Sequence, residues 1–123
     1  MARRTKTVAK KIIKHALSKK AEDVVLLDLR KLTSLTDFFV ICTGTSDVQV
    51  KAIAEAVIEG CRKDDVDIYN VEGFEGRRWI LIDLVDAVVH IFHPEARNYY
   101  RLEQLWGDAP KEYFGDEGEG SAT

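Results

Sequence analysis

The sequence predicts a single α/β domain in which a mixed five-stranded sheet is flanked by helices. Strand-length apolar runs alternate with amphipathic segments along the first 106 residues. The composition, 46% hydrophobic and 32% charged, is typical of a folded globular chain. A chain of 123 residues is long enough for one hydrophobic core. We therefore expect one domain over residues 1–106.

The first element is a basic helix over residues 1–20. Its apolar residues recur at helical spacing, and it holds eight of the 18 Lys and Arg residues and none of the 21 acids. The rest of the chain has ten basic and 21 acidic residues, a net charge of −11. A mitochondrial transit peptide is the alternative, but the segment is rich in Lys and poor in Ser. We expect an integral helix. The acidic body would attract a basic protein, and general solubility is the alternative explanation of its acids.

Two strands and a second helix follow. VVLLDLR (24–30) and DFFVICT (37–43) have the length and β-branched or aromatic content of strands. Ser46, with Gln49 three residues later, forms a capping-box pattern at the start of a helix that continues to about Lys63. VDIYNV (66–71) is then predicted to be a third strand, parallel to the one before the helix.

Residues 78–84 and 87–92 are predicted to form an antiparallel hairpin. A two-residue turn pairs Trp79 with Phe92 and sets Asp83 and His90 on the same face, as diagonal neighbours able to form a hydrogen bond. The opposite face is aliphatic and is the better core face. An aromatic pair beside a charged group is typical of an interface hot spot, although coverage by the first or last helix is equally compatible with the spacing.

The last predicted helix begins at Pro94 and has apolar positions suited to packing on a sheet. These positions are Tyr99, Leu102, Leu105 and Trp106. Residues 107–123 have four Gly, five acids and few aliphatic residues, so we expect an acidic, largely disordered tail.

An enzyme interpretation has one candidate site. Gly44 and Ser46, followed by Asp65 and Asp67, superficially match the Gly-Ser turn and the metal-binding Asp pair of nucleotidyltransferases. The spacing is too long, and both acids fall where a helix-to-strand turn is expected, so a solvated acidic turn is the alternative. No Walker loop or dinucleotide fingerprint is present.

Neither a metal site nor a cofactor is predicted. Cys42 and Cys61 have no neighbouring Cys or His at metal-ligand spacing, which favours two buried reduced thiols. His15 and His93 have no partner identifiable from the sequence. No apolar run reaches the ~20 residues of a membrane helix, and no signal peptide follows Met1, so we expect a cytoplasmic protein without a membrane partner.

Four stretches together resemble the ribosomal silencing factor family, known as RsfS and in plants as Iojap. In order, they are LLDLRKLTSLTDFFVICTGTSDVQVKAIAEAV, Val71-Glu72-Gly73, RWILIDLVDAVVHIF and EARNYYRLEQLW. The resemblance covers about residues 22–106. It implies a domain related to nucleotidyltransferases but non-catalytic.

The resemblance also implies a function. Members bind the large ribosomal subunit through ribosomal protein number fourteen and block joining of the small subunit, which represses translation under nutrient limitation. The family's partner-binding residues match Trp79, Asp83, Asp86, His90 and Phe92 here, and the family is commonly dimeric. A nucleotidyltransferase-like enzyme is the alternative. A purely structural oligomer, associating through the apolar hairpin face, is a third.

Two parts of the chain, Val85 and the basic first helix, do not match the family pattern. Relatives usually have Gly where this chain has Val85, and a β-branched residue resists the positive φ of tight turns, which puts the hairpin register in doubt. The basic first helix lies outside the matched region, and we hypothesise that it contacts ribosomal RNA; a solvated basic face is the alternative.

Overall fold

The computed structural model describes residues 2–76, 78–100, 104, 106–114 and 120–121. Within these ranges, three helices and seven strands alternate along the chain. In chain order, the elements are α1 (Ala2–Leu17), β1 (Glu22–Asp28), β2 (Phe38–Thr43), α2 (Asp47–Lys63), β3 (Asn70–Glu72), β4 (Trp79–Asp83), β5 (Ala87–Phe92), α3 (Pro94–Tyr100), β6 (Lys111–Phe114) and β7 (Gly120–Ser121). No helix in the described ranges is long and apolar enough to cross a bilayer.

The helix α1 is an integral part of the fold, as predicted. Its apolar stripe is buried against α2 and the sheet, while Lys10, Lys11 and Lys14 are exposed. The helix ends at Leu17 instead of Lys20. Lys20 adopts a φ of 63°, in the left-handed region, and the Ala21 N–H donates to the Ala16 carbonyl. This hydrogen bond is typical of a helix C-terminus that ends in a residue of left-handed conformation.

A side-chain contact joins α1 to α2. His15 Nε2 lies 3.1 Å from Asp64 Oδ2, at the C-terminal cap of α2. Its ring packs over Gly60, where an added Cβ would lie 2.2 Å from His15 Cδ2. His15 therefore has a partner that its sequence position did not reveal.

The sheet is mixed, with the order β3-β4-β5-β2-β1-β6-β7. β2 and β5 are parallel, and the other neighbouring pairs are antiparallel. β3 therefore runs parallel to β2, as predicted, but two strands lie between them. β3 begins at Asn70 and not at Val66, because residues 66–69 form the connection from α2.

All five predicted strands are present, and two more extend the sheet in the described part of the chain. The expectation that the tail is disordered is wrong for residues 111–114, which form β6 and pair antiparallel with β1. Tyr113 and Phe114 of β6 pack on opposite faces of the sheet. Apolar side chains at these two positions explain why this part of the polar tail orders.

The two sheet faces carry different cores. α1 and α2 cover one face, whose hairpin contribution is the aliphatic set Ile80, Ile82, Val89 and Ile91. The predicted core face is confirmed, and because the helices cover it, it is unavailable for the structural oligomer considered above. On the other face, Phe92 packs near Ala96 of α3, with Trp79 and Trp106 partly buried beside them.

The hairpin has the predicted register. Trp79 pairs with Phe92, and Asp83 pairs with Val88. Val85 adopts a φ of 74°, and the Asp86 N–H donates to the Leu84 carbonyl at 2.9 Å, so Val85 is the central residue of a γ-turn. The predicted strand pairing is therefore present although Val85 occupies the turn, and Val85 adopts the strained positive φ.

The helix α3 begins at Pro94, as predicted, and its described part ends at Tyr100. Arg97 fastens α3 to the sheet, since its Nη1 donates to the Asp23 carbonyl at 2.6 Å and to Thr43 Oγ1 at 2.8 Å. The predicted packing side chains of Tyr99, Leu102 and Leu105 lie outside the described residues.

Candidate partner-binding surface

Trp79 lies on the sheet face opposite α1 and α2, at the start of β4. Its indole is stacked on Phe92, with 5.1 Å between ring centroids, and its Nε1–H donates to His90 Nδ1 at 3.0 Å. The side chain is only half-buried. A large aromatic ring fixed by two neighbours loses little conformational entropy when a partner covers it.

His90 beneath it is neutral. The residue is 3% exposed, and burial lowers the pKa of its imidazole to about 4. Because Nδ1 accepts the indole hydrogen bond, the ring proton is assigned to Nε2, which is buried and has no partner among the described residues. The predicted hydrogen bond between Asp83 and His90 is therefore not formed.

Asp83 shapes the hairpin tip instead. Its Oδ1 accepts the Val85 N–H at 2.8 Å, which holds the γ-turn. Asp86 has an exposed side chain, and its carbonyl accepts the N–H groups of Asp37 at 2.9 Å and Phe38 at 3.2 Å. The tip is thus anchored to the neighbouring strand, with the Asp83 side chain partly buried and the Asp86 side chain exposed.

The five residues predicted to bind a partner lie on one hairpin, but they do not share one role in this geometry. Trp79, Asp83 and Asp86 present side-chain surface, whereas His90 is 3% exposed and Phe92 is fully buried. Direct contact by His90 or Phe92 would require the face to open. Both are placed to support Trp79 from below.

Two aromatic residues of this face were not predicted from the sequence to belong to the site. Phe39 meets His90 edge-on, with 4.4 Å between centroids, and Trp106 meets Phe39 edge-on at 6.1 Å. Alternation along β2 places Phe39 opposite Phe38, which was a usable signal. Its contact with His90 depends on the parallel β2–β5 pairing, which the sequence did not specify.

A groove of about 530 Å³ adjoins this cluster beside the hairpin tip. Of the ten described residues that line it, seven are apolar or aromatic, two are threonines, and Asp83 is the charged one. Leu35 is 83% exposed, Tyr69 75% and Val85 54%, so three large apolar or aromatic side chains of the lining face solvent. Phe39 and Trp106 belong both to the groove and to the aromatic cluster.

The turn that opens α2 is closed by its own side chains. Ser46 Oγ accepts the Gln49 N–H, as the capping-box pattern predicted. The reciprocal bond differs, because Gln49 Oε1 accepts the N–H of Thr45 at 2.6 Å. Gln49 Nε2 also donates to the carbonyls of Lys19 and Lys20. A bound phosphate would have to displace this network.

The acid pair of the enzyme alternative lies elsewhere. Asp65 and Asp67 are exposed beyond the C-terminal end of α2, and Asp65, with a φ of 62°, occupies the left-handed position of the helix cap. A 17-residue helix separates them from Gly44, a length of about 25 Å. The acidic-turn interpretation is confirmed, and the two halves of a nucleotidyltransferase site are not brought together.

The two cysteines are buried and free, as predicted. Burial raises the pKa of the Cys42 thiol to about 12 and that of Cys61 to about 11. Thiolates are the reactive form, so neither residue is a nucleophile at neutral pH.

Comparison with known proteins places these features in a family. The model of the family described as "Ribosomal silencing factor during starvation" matches residues 2–122. The ribosomal silencing factor RsfS of Bacillus subtilis is 47% identical over 92 residues, which cover 75% of this chain and 78% of that protein. The chloroplastic protein Iojap of Zea mays is 35% identical over 98 residues, 80% of this chain and 42% of that protein.

Two solved structures are similar to this chain over most of its length. A crystal structure of a protein from Chromobacterium violaceum superposes with a TM-score of 0.81 at 40% identity, covering 83% of this chain and 85% of that one. A second, from Bacillus halodurans, gives 0.75 at 42% identity and covers 82% and 94%.

Proposed function

This chain belongs to the RsfS and Iojap family of ribosomal silencing factors, non-enzymatic regulators that bind the ribosome, and from that premise we propose how it acts. It binds the large ribosomal subunit through ribosomal protein number fourteen and sterically blocks joining of the small subunit. This represses translation under nutrient limitation. The nucleotidyltransferase alternative is not retained, since the family is non-enzymatic.

The partly exposed indole of Trp79, held by Phe92 and His90 beneath it, is the observation that supports this most directly. A rigid Trp is a typical anchor of protein interfaces. The carboxylates of Asp83 and Asp86 beside it suit a basic ribosomal protein, because opposite charges across an interface speed encounter and fix orientation. Steric exclusion needs no chemistry from the bound factor.

Replacing the anchor tests the proposal. Trp79→Ala should weaken binding to purified large subunits by ~2 kcal/mol or more, the hot-spot range. Trp79→Phe, which keeps a ring over Phe92, should lose less. Co-sedimentation over a range of subunit concentrations measures both. Unchanged co-sedimentation of Trp79→Ala would show that another surface binds.

The carboxylates need variants that leave the turn intact. Asp83→Asn removes the charge but keeps an acceptor for the Val85 N–H, and Asp86→Lys reverses an exposed charge. Both should slow association with large subunits and flatten its salt dependence. Asp67 is an exposed acid beyond α2, so Asp67→Lys is the matched control. It should change neither the association rate nor its salt dependence.

The basic helix α1 is proposed to contact ribosomal RNA phosphate. Its exposed cations oppose helix stability, since its first turn has no acid and its Lys residues repeat at i, i+4. Lys11→Glu with Lys14→Glu should reduce the salt slope of subunit binding by about one for each phosphate that the helix no longer neutralises. The same changes at exposed Lys31 and Lys63 are the control. An identical slope in all three proteins would leave α1 as a solvated face.

Two further properties follow from the family resemblance. We propose a homodimer, which light scattering across a concentration series tests; a mass of 13.9 kDa at every concentration would contradict it. We also propose a cytoplasmic location, which the bacterial relatives support. Relatives from Zea mays and Arabidopsis thaliana are chloroplastic or mitochondrial, so fractionation of the source cell is the test.

A further inference from the structure

We infer that the groove beside the hairpin tip receives one large apolar side chain from a basic segment of the partner protein, and that Leu35, Tyr69 and Val85 form its rim. The inference rests on the proposed function, because it assigns a second contact to the same docking face. It adds a specific socket to the aromatic surface around Trp79.

Three side chains at the rim of the groove are exposed to solvent. Leu35, Tyr69 and Val85 leave more than half of their surface in water although all three line one groove. Apolar surface gathered around a concavity is costly to leave hydrated and is typical of interaction sites. A volume of about 530 Å³ lies within the ~300–1,000 Å³ of pockets that hold small ligands, so the groove has room for one large apolar side chain.

The backbone of the groove rim is strained at Val85. Val85 has a φ of 74°, which is unfavourable for a β-branched residue, and it is held there by the carboxylate of Asp83 and by the γ-turn. An exposed residue contributes little packing that could offset such strain. Strained positions persist where their geometry serves a function. Here the strain places an apolar side chain at the rim of the groove.

The groove is continuous with the aromatic cluster and has carboxylates at its edge. Phe39 and Trp106 line the groove and connect it, through His90, to Trp79. Asp83 is the charged residue of the described lining, and the exposed Asp86 lies three positions further along the hairpin. An occupant with an apolar side chain next to a Lys or Arg satisfies both the lining and the carboxylates.

Charge variants at the rim test the inference. Leu35→Asp and Leu35→Lys both remove the apolar side chain, but they differ in the sign of the charge that they bring to the partner. Against purified large subunits, Leu35→Asp should bind ~30-fold more weakly than the parent, the lower end of the hot-spot range. At low salt, Leu35→Lys should bind several-fold more weakly than Leu35→Asp, since the added cation repels a basic segment. High salt should reduce the difference in affinity between the two variants.

Val48 provides the matched control. It is 74% exposed on α2, away from the groove, so Val48→Asp and Val48→Lys should bind within about twofold of the parent, as surface changes usually do. Tyr69→Ser should reproduce the loss of Leu35→Asp without adding charge. Chemical denaturation of each variant confirms that these exposed positions leave the fold intact.

Several results would overturn the inference. Leu35 variants that bind like the parent, while Trp79→Ala is impaired, would remove the groove and leave the proposed function standing. Weaker binding by Leu35→Asp than by Leu35→Lys would indicate an acidic occupant such as RNA. A loss of self-association with subunit binding intact would assign the groove to a second copy of this chain. Failure of the parent to bind subunits would remove both proposals.

Discussion

At the residue scale, the docking face depends on one histidine kept neutral. Burial disfavours the imidazolium of His90, and the neutral ring offers Nδ1 to the indole of Trp79. Protonation would replace that acceptor with a second N–H and break the bond. The orientation of the partly exposed indole is therefore tied to the charge state of a buried residue.

This coupling predicts a pH dependence of stability. The pKa of His90 is about 4 in the fold, below the ~6.5 of an unfolded chain, so between these values the unfolded state binds more protons and stability falls as pH falls. The loss specific to His90 should reach about 2 kcal/mol at pH 5 relative to pH 7. Urea unfolding at both pH values measures it.

His90→Asn is the control for that measurement. The Asn side chain can accept the indole hydrogen bond and does not titrate, so its free energy of unfolding should fall less between pH 7 and pH 5. Equal losses in the parent and in His90→Asn would assign the pH dependence to other groups.

At the element scale, the β4–β5 hairpin combines a regular ladder with an irregular tip. Alternation of side chains predicted its aliphatic core face, and an assumed two-residue turn predicted the register that Val85 had put in doubt. It was not enough to predict which diagonal pair bonds, because Trp79 and Asp83 both lie within reach of His90 and only the packed rotamers decide between them. In addition, the carboxylate of Asp83 accepts the backbone N–H of Val85.

The tip predicts a conflict between stability and binding. Val85→Gly relieves the strain of a positive φ, about 1–3 kcal/mol, at a cost of about 0.5–1 kcal/mol in chain entropy, so the variant should be about 1 kcal/mol more stable. Without the apolar side chain it should bind large subunits more weakly.

Val85→Ala separates the two effects. It shortens the side chain but keeps a Cβ at the strained φ, so it should lose binding without gaining stability. Urea titration and subunit co-sedimentation of both variants provide the comparison. If Val85→Gly is no more stable than Val85→Ala, the turn is not strained.

At the scale of the whole molecule, the sheet is assembled from segments distant in sequence. The neighbours β2 and β5 are separated by an entire helix and the β3–β4 pair, and β1 pairs with β6 near the far end of the chain. Local patterns predicted each early strand but not these neighbours, because period-two alternation identifies a face and not a partner strand. The Gly and acidic residues around Lys111–Phe114 predicted disorder, so β6 was not recognised as a strand.

The position of β6 predicts that the tail is structural. Ending the chain after Pro110 uncovers β1, whose Val25 and Leu27 pair with β6, and removes the packing of Tyr113 and Phe114 against both cores. We expect a loss of about 3 kcal/mol from two half-buried aromatics and self-association through the open strand edge. Ending the chain after Phe114 keeps β6 and should behave like the full chain in urea unfolding and light scattering. Equal stability of both shortened chains would contradict this.

The aromatic cluster has one more consequence. The chain contains two tryptophans, and both lie on the docking face, Trp79 over His90 and Trp106 against Phe39. Indole fluorescence responds to the polarity and hydrogen bonding of its surroundings. Tryptophan emission of the unlabelled protein, excited where its four tyrosines do not absorb, therefore reports on this face, and its spectrum can follow docking of a partner that lacks tryptophan without an attached dye.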